Sequence, residues 1–252
     1  MKKLFALILI IGLPIMIYLL TVDHGIYYVA LGDSLAAGQN PYGKISYGYT
    51  DNVADYLDSL NKLTFYTKQF AVSGYRTTDL IKDINDNKSI EVDGKKITLK
   101  QALAKADIIT LSIGANDLFY KLGINSMDIT FQDDIELKKY VDEVILDIEK
   151  LIILIKKYCM EDIILVGYYN PLWHMKKDFA KQIDNVILYA NNEMKKVSNK
   201  YDLYFVDVYK QFEQNSDFLP NPIDIHPSVK GYAAITEKII KIINEKIIDW
   251  NK

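Results

Sequence analysis

Ile26-Tyr27-Tyr28-Val29-Ala30-Leu31-Gly32-Asp33-Ser34-Leu35 is the stretch on which the reading of this chain turns. Residues 27–31 form a short apolar run rich in β-formers, closed by a glycine and followed by small polar residues. The same arrangement recurs. Residues 63–72 end in Ser73-Gly74, residues 108–113 in Gly114, and residues 163–166 in Gly167, while residues 203–206 give a fifth run. Helix-period stretches lie between them, clearest at 134–158, 176–200 and 229–250. Strands that are apolar almost throughout are buried on both faces, which requires a parallel sheet covered by helices. The prediction is therefore α/β, with a doubly wound parallel five-stranded sheet in one domain spanning 26–252. Glu91-Val92-Asp93-Gly94-Lys95-Lys96-Ile97 reads as an Asp-Gly hairpin inserted before the third strand.

Composition narrows the function classes. Half of the 252 residues are hydrophobic and a quarter are charged, enough for a full core. A net charge of -3 spread along the chain argues against nucleic acid as a partner. The single cysteine, Cys159, excludes an intramolecular disulfide framework, and three scattered histidines provide no metal-ligand cluster. Arg76 is the one arginine among 30 Lys and Arg residues.

In doubly wound sheets the site lies beyond the carboxyl ends of the strands. Those ends carry Gly32-Asp33-Ser34-Leu35, then Ser73-Gly74-Tyr75-Arg76-Thr77-Thr78-Asp79, then Gly114-Ala115-Asn116-Asp117. Asp224-Ile225-His226-Pro227 precedes the last helix. A hydroxyl, amide donors and an imidazole thus converge on one edge, which are the parts needed for acyl transfer. Serine needs a neighbouring base to take its proton, and neutral imidazole suits that near pH 7. His226 is the best placed, because His24 follows the apolar N-terminus and His174 lies in a Pro-Leu-Trp-His stretch. The amides of Ser34 and Gly74 and the side-chain amide of Asn116 can supply three donors to a developing oxyanion, with Gly74 letting the backbone approach closely.

Taken together these residues resemble the GDSL, or SGNH, serine hydrolases. Gly32-Asp33-Ser34-Leu35 is similar to the first block of that family, Gly74 to the second, Gly114-Ala115-Asn116-Asp117 to the third and His226-Pro227 to the last. The resemblance implies a flavodoxin-like three-layer α/β/α sandwich, the SGNH hydrolase fold. It also implies Ser34 as nucleophile, His226 as base, and the Ser34 amide, Gly74 and Asn116 as oxyanion hole, with no metal and no cofactor. One position departs from the pattern. The family places its acid three residues before the histidine, where this chain has Ile223; the nearby acid is Asp224, two before. Either Asp224 reaches the imidazole through a rearranged loop, which is the preferred reading, or a backbone carbonyl orients the ring. Ala36 stands where the G-x-S-x-G elbow of α/β-hydrolases would have its second glycine, which disfavours that fold.

Secondary assignments follow. Asp33 fixes the loop, Asp117 caps a helix, Arg76 and Asp79 pair, and Asn170-Pro171 shapes the pocket. Apolar residues 118–131, in a loop-like stretch, either line an acyl groove or form a packed insertion. At the N-terminus, Lys2 and Lys3 precede seventeen uncharged residues, 4–20, the n- and h-regions of an export signal. Bulky residues at 18–23 offer no clean cleavage site, and no lipidation cysteine follows. Residues 1–22 are therefore predicted to be an uncleaved signal anchor or, failing that, a cleaved signal peptide; a buried first helix is the remaining alternative. The expected protein is an extracytoplasmic, membrane-held serine esterase, taken to be monomeric, acting on lipid or small acyl esters. The rivals are an O-acetylesterase of cell-wall or exopolysaccharide and a silent binding protein on the same fold.

Overall fold

A computed structural model describes residues 25–123, 134–172 and 177–248. Five strands make the main sheet: β1 (Ile26–Gly32), β2 (Leu63–Ala71), β5 (Ile108–Ser112), β6 (Asp162–Val166) and β7 (Tyr204–Val206). Their order is β2-β1-β5-β6-β7, and every pair in it is parallel. This is the flavodoxin-like order, with its switch point between β1 and β5. The predicted hairpin is present as β3 (Ser89–Val92) and β4 (Lys95–Thr98), turned by Asp93 at φ 51° and Gly94.

Strand side chains alternate between two cores. Val29, Leu31, Ile109, Leu111, Ile163 and Leu165 face one side. There they meet α3 (Thr77–Asn85), α4 (Leu99–Lys105), α6 (Asp134–Lys156) and α7 (Lys177–Tyr201). Tyr28, Ala30, Ile108, Ile164 and Val206 face the other side, against α2 (Tyr49–Ser59) and α9 (Val229–Ile242). The short helices are α1 (Ser34–Ala37), α5 (Ala115–Lys121) and α8 (Tyr209–Glu213). Two expectations need correction. Residues 118–121 are helical rather than looped, because Gly114 takes a left-handed φ of 103° and opens α5 there. The last helix ends at Ile242 and continues as a π-turn, Ile243–Ile247, instead of running regularly to 250.

Residues 1–24, which include the predicted export segment 1–22, lie outside the described residues, as do His174, Ile124, Met127, Ile129 and Phe131. Among the described residues no helix is long and apolar enough to cross a membrane.

β1 leaves no room for a side chain against β5 at Gly32. A Cβ there would stand 1.9 Å from the Ser112 carbonyl oxygen, and φ is +135°. Gly32→Ala should therefore cost upward of about 3 kcal/mol of stability, from overpacking and backbone strain together. Urea unfolding of the variant measures this, and a midpoint close to wild type would show that β5 can retreat.

Candidate active site

Ser34 is set by what flanks it. β1 ends at Gly32, the Asp33 amide donates to the Ser112 carbonyl (3.0 Å), and α1 begins at once. Asp33 is its N-cap, Oδ1 accepting from the Leu35 amide at 3.0 Å. The Ser34 amide, first in the helix, has no intrahelical carbonyl before it.

The His226 loop comes to Ser34 from the far end of the chain. Tyr169 Oη donates to the Ile225 carbonyl (2.8 Å), Asn221 Nδ2 donates to the Pro41 carbonyl (2.7 Å), and Ser228 caps α9. His226 Nε2 stands 2.8 Å from Ser34 Oγ, and both residues are buried. Asp224 Oδ1 accepts from the His226 amide (2.8 Å) and lies 2.7 Å from His226 Nδ1. The carboxylate of residue i accepting the amide of i+2 is an Asx-turn. The two-residue spacing thus brings acid and ring together by a turn, not by the side-sharing of an extended strand. With Nδ1–H donating to Asp224, Nε2 is left as an acceptor facing the serine hydroxyl.

The loop after β2 completes this edge. The Tyr75 amide donates to the Val72 carbonyl at 3.1 Å, and Gly74, at the third position of that turn, has φ +83°. A type II turn demands that conformation. A Cβ on Gly74 would meet no protein atom within 4 Å, so within the protein it is the turn that calls for glycine. Asn116 Nδ2 donates one hydrogen to the Tyr75 carbonyl (2.9 Å), which ties the loop to α5 and leaves the second hydrogen available. Asp117, expected as a cap of its own helix, instead accepts from the Thr77 amide (3.0 Å) and hydroxyl (2.6 Å), holding the start of α3 against α5. Arg76 stacks over the Tyr120 ring at 4.5 Å, with Nε 3.7 Å from Asp79.

Ser34, Asn116 and His226 line a cavity that encloses ≈ 970 Å³ with its open mouth; Gly74 stands outside its lining. Its walls are apolar: Leu118, Phe119 and Leu122 from the α5 side, Leu137 from α6, and Val186 and Ile187 from α7. Pro171 and Leu172 also line it, while Asn170 Nδ2 donates to Asp184 (2.7 Å). Gln39, which sequence reasoning did not single out, lies 3.3 Å from His226 Nδ1 and accepts from Ser73 Oγ at 2.5 Å. Nothing marks it in the sequence except its place five residues after Ser34. Among the described residues no group of three or more His, Cys, Asp and Glu could hold a metal.

Burial raises the Asp33 carboxyl to about 7, with the Asp117 charge adding to the effect and the Leu35 amide opposing it. Asp117 is also raised, again chiefly by burial, against the pull of its Thr77 hydrogen bonds.

A model of the GDSL-like Lipase/Acylhydrolase family matches residues 30–234. The chain is 28% identical over 233 residues to YpmR of Bacillus subtilis, covering 90% of this chain and 84% of that protein. It is 24% identical over 217 residues to the spore germination lipase LipC of Bacillus licheniformis, covering 84% and 93%. In fold it is similar to the lipase Lip_vut3 from a goat rumen metagenome, with TM-score 0.69 and 22% identity over 88% of this chain and 99% of that one. It is also similar to the acetylxylan esterase Axe2 of Geobacillus stearothermophilus, with TM-score 0.62 and 16% identity over 91% and 100%.

A carboxyl whose folded-state pKa is raised stabilises the fold below its unfolded value, near 4, and loses that contribution as pH rises through about 7. Asp33→Asn keeps the capping oxygen and removes the titration. Its stability advantage over wild type should grow between pH 4 and 8, toward about 4 kcal/mol at most. Urea unfolding at three pH values measures it; a constant difference would mean Asp33 is already ionised in the fold.

Proposed function

The chain belongs to the GDSL-like lipase/acylhydrolase family and is an ester hydrolase, and on that premise we propose that it is a serine esterase acting through Ser34, His226 and Asp224. The observation that carries this reading is the continuous chain from Asp224 Oδ1 to His226 Nδ1 (2.7 Å) and from Nε2 to Ser34 Oγ (2.8 Å), set at an apolar cavity.

In this mechanism Ser34 Oγ attacks the ester carbonyl carbon while His226 Nε2 takes the hydroxyl proton. The carbonyl π-electrons move onto oxygen, and the oxyanion is met by the Ser34 amide, the Gly74 amide and the free hydrogen of Asn116 Nδ2. Collapse breaks the ester C–O bond. The leaving alkoxide takes the Nε2 proton and departs as the alcohol, with the acyl group left on Ser34 Oγ. Water then attacks the acyl carbon, gives its proton to Nε2, and the carboxylic acid leaves as Ser34 recovers that proton. Asp224 holds the Nδ1–H tautomer and balances the imidazolium that forms in each half.

The substrate class proposed is acyl esters with a hydrocarbon chain, lipase- or lysophospholipase-like. An acetyl group needs little space, whereas Leu118, Phe119, Leu122, Leu137, Val186 and Ile187 would lie against several methylenes. Each buried methylene contributes about 0.8 kcal/mol. The O-acetylesterase reading is the alternative. We further propose that residues 1–22 anchor the chain to the cell membrane, or are cleaved on secretion, so that 26–252 work outside the cytoplasm as a monomeric hydrolase domain.

On p-nitrophenyl esters of graded length, kcat/KM should rise from acetate to a medium chain; a maximum at acetate would favour the deacetylase. Ser34→Ala should lose activity on the order of a million-fold, and Asp224→Asn up to about 10⁴-fold. Retention of most hydrolysis by Ser34→Ala would refute the nucleophile assignment. A loss below about tenfold in Asp224→Asn would leave a dyad with its ring set by other groups.

In fractionated cells the full-length chain should appear in the membrane pellet and be cut by protease added outside. Recovery only as a shortened chain in the medium would make the N-terminal segment a cleaved signal.

A further inference from the structure

Gln39 touches both halves of the site. It follows Gly38, whose left-handed φ of 82° ends α1, and its backbone is held by the Ser34 carbonyl (2.9 Å) and by Tyr232 Oη donating to the Gln39 carbonyl (2.6 Å). The side chain then spans the two halves, with Nε2 3.3 Å from His226 Nδ1 and Oε1 accepting from Ser73 Oγ at 2.5 Å. Ser73 is the neighbour of Gly74, so one amide bridges the imidazole and the turn that carries an oxyanion donor.

The proton count at Nδ1 decides how the amide must work. The base needs Nε2 free to accept from Ser34, so its one hydrogen sits on Nδ1 and points at Asp224. An amide NH₂ aimed at the same nitrogen would set hydrogen against hydrogen. It would favour the opposite tautomer, with the proton on Nε2 and no acceptor for the serine hydroxyl. Oxygen and nitrogen of a Gln side chain are told apart by their hydrogen bonds. With the amide turned, Oε1 faces Nδ1–H and shares that hydrogen with Asp224, while Nε2 donates to Ser73 Oγ after an adjustment of a few tenths of an ångström.

We propose that Gln39 is a positioning residue of the esterase reaction: its side-chain carbonyl is a second acceptor for His226 Nδ1–H, and its NH₂ locks Ser73 to the imidazole. The inference rests on the reading of His226 as base. It also accounts for the acid spacing. An acid two residues from the histidine spends one oxygen on both the His226 amide and the ring, and Gln39 supplies the lateral contact that stops the ring swinging about that single atom.

The groups at the imidazole are Asp224 from its own loop, Ser34 from the β1 end and Gln39 from the adjoining loop, with Ser73 and Tyr232 acting through Gln39 and Tyr169 through the Ile225 carbonyl, while Asp33 lines the same cavity. Burial raises the Asp33 carboxyl to about 7, so it too would mark a pH–activity profile. The histidine is therefore read directly, by ¹⁵N NMR of the ring nitrogens, which reports both tautomer and pKa.

Wild type should show the Nδ1–H tautomer. Gln39→Glu places a carboxylate about 3.3 Å from Nδ1 and should raise the imidazole pKa by about one unit or more. Gln39→Leu should lower kcat by roughly ten- to a hundredfold with little change in KM. Gln39→Glu in an Asp224→Ala background should recover at least about tenfold over Asp224→Ala alone, because the new charge reaches the same nitrogen. An unshifted imidazole pKa in Gln39→Glu, or a kcat near wild type in Gln39→Leu, overturns the proposal. An Nε2–H tautomer in wild type overturns the turned amide. Loss of the base reading itself would show separately, as hydrolysis surviving in His226→Ala.

Discussion

The approach of β1 to β5 at Gly32 is the constraint on which the site rests. No side chain fits between Gly32 and the Ser112 carbonyl. Two backbone bonds then lock the strand ends: Asp33 amide to Ser112 carbonyl, and Val72 amide to Gly32 carbonyl, each 3.0 Å. Three neighbouring strands therefore finish at one level, and the turns that follow them start from a common plane. Ser34, the Ser73-Gly74 turn and Asn116 inherit their relative heights from that plane. Strand-borne groups hold position more tightly than loop-borne ones, which catalysis by pre-oriented donors requires.

A second layer of order comes from buried polar groups. Asp117 reaches across to Thr77, Asn116 to the Tyr75 carbonyl, and Tyr168 Oη to the Ile113 carbonyl at 2.9 Å. Each bond joins segments that leave different strands. Breaking the buried Asp117–Thr77 pair strands polar atoms away from water, which is dearer than losing an exposed bond. Asp33 and Asp117 accept the cost of burial in their own titration, both being raised by it.

The fold was legible because its strands are apolar on both faces. Tyr28 and Val29 are each fully buried though adjacent, one in each core, and only a covered parallel sheet reads that way. Ser34, Asn116 and His226 stood at strand or helix boundaries with chemistry that can be named. The failures came where a short-range rule was applied to a long-range bond. Asp117 looks like a cap from its place in α5, but its partner is forty residues away at Thr77. The left-handed backbone angle that the Gly74 turn requires likewise shows only in three dimensions. Gln39 carries no signature because an amide side chain in a loop is ordinary until the chain end 187 residues later is laid against it.

The direction of β1 has a consequence for reach. Gly25 lies at the amino edge of the sheet, and Ser34 follows the carboxyl edge, a strand of seven residues later. At about 3.3 Å per residue the two ends are roughly 23 Å apart. The chain thus enters the sheet at one edge and carries its cavity at the opposite one, a full strand length away.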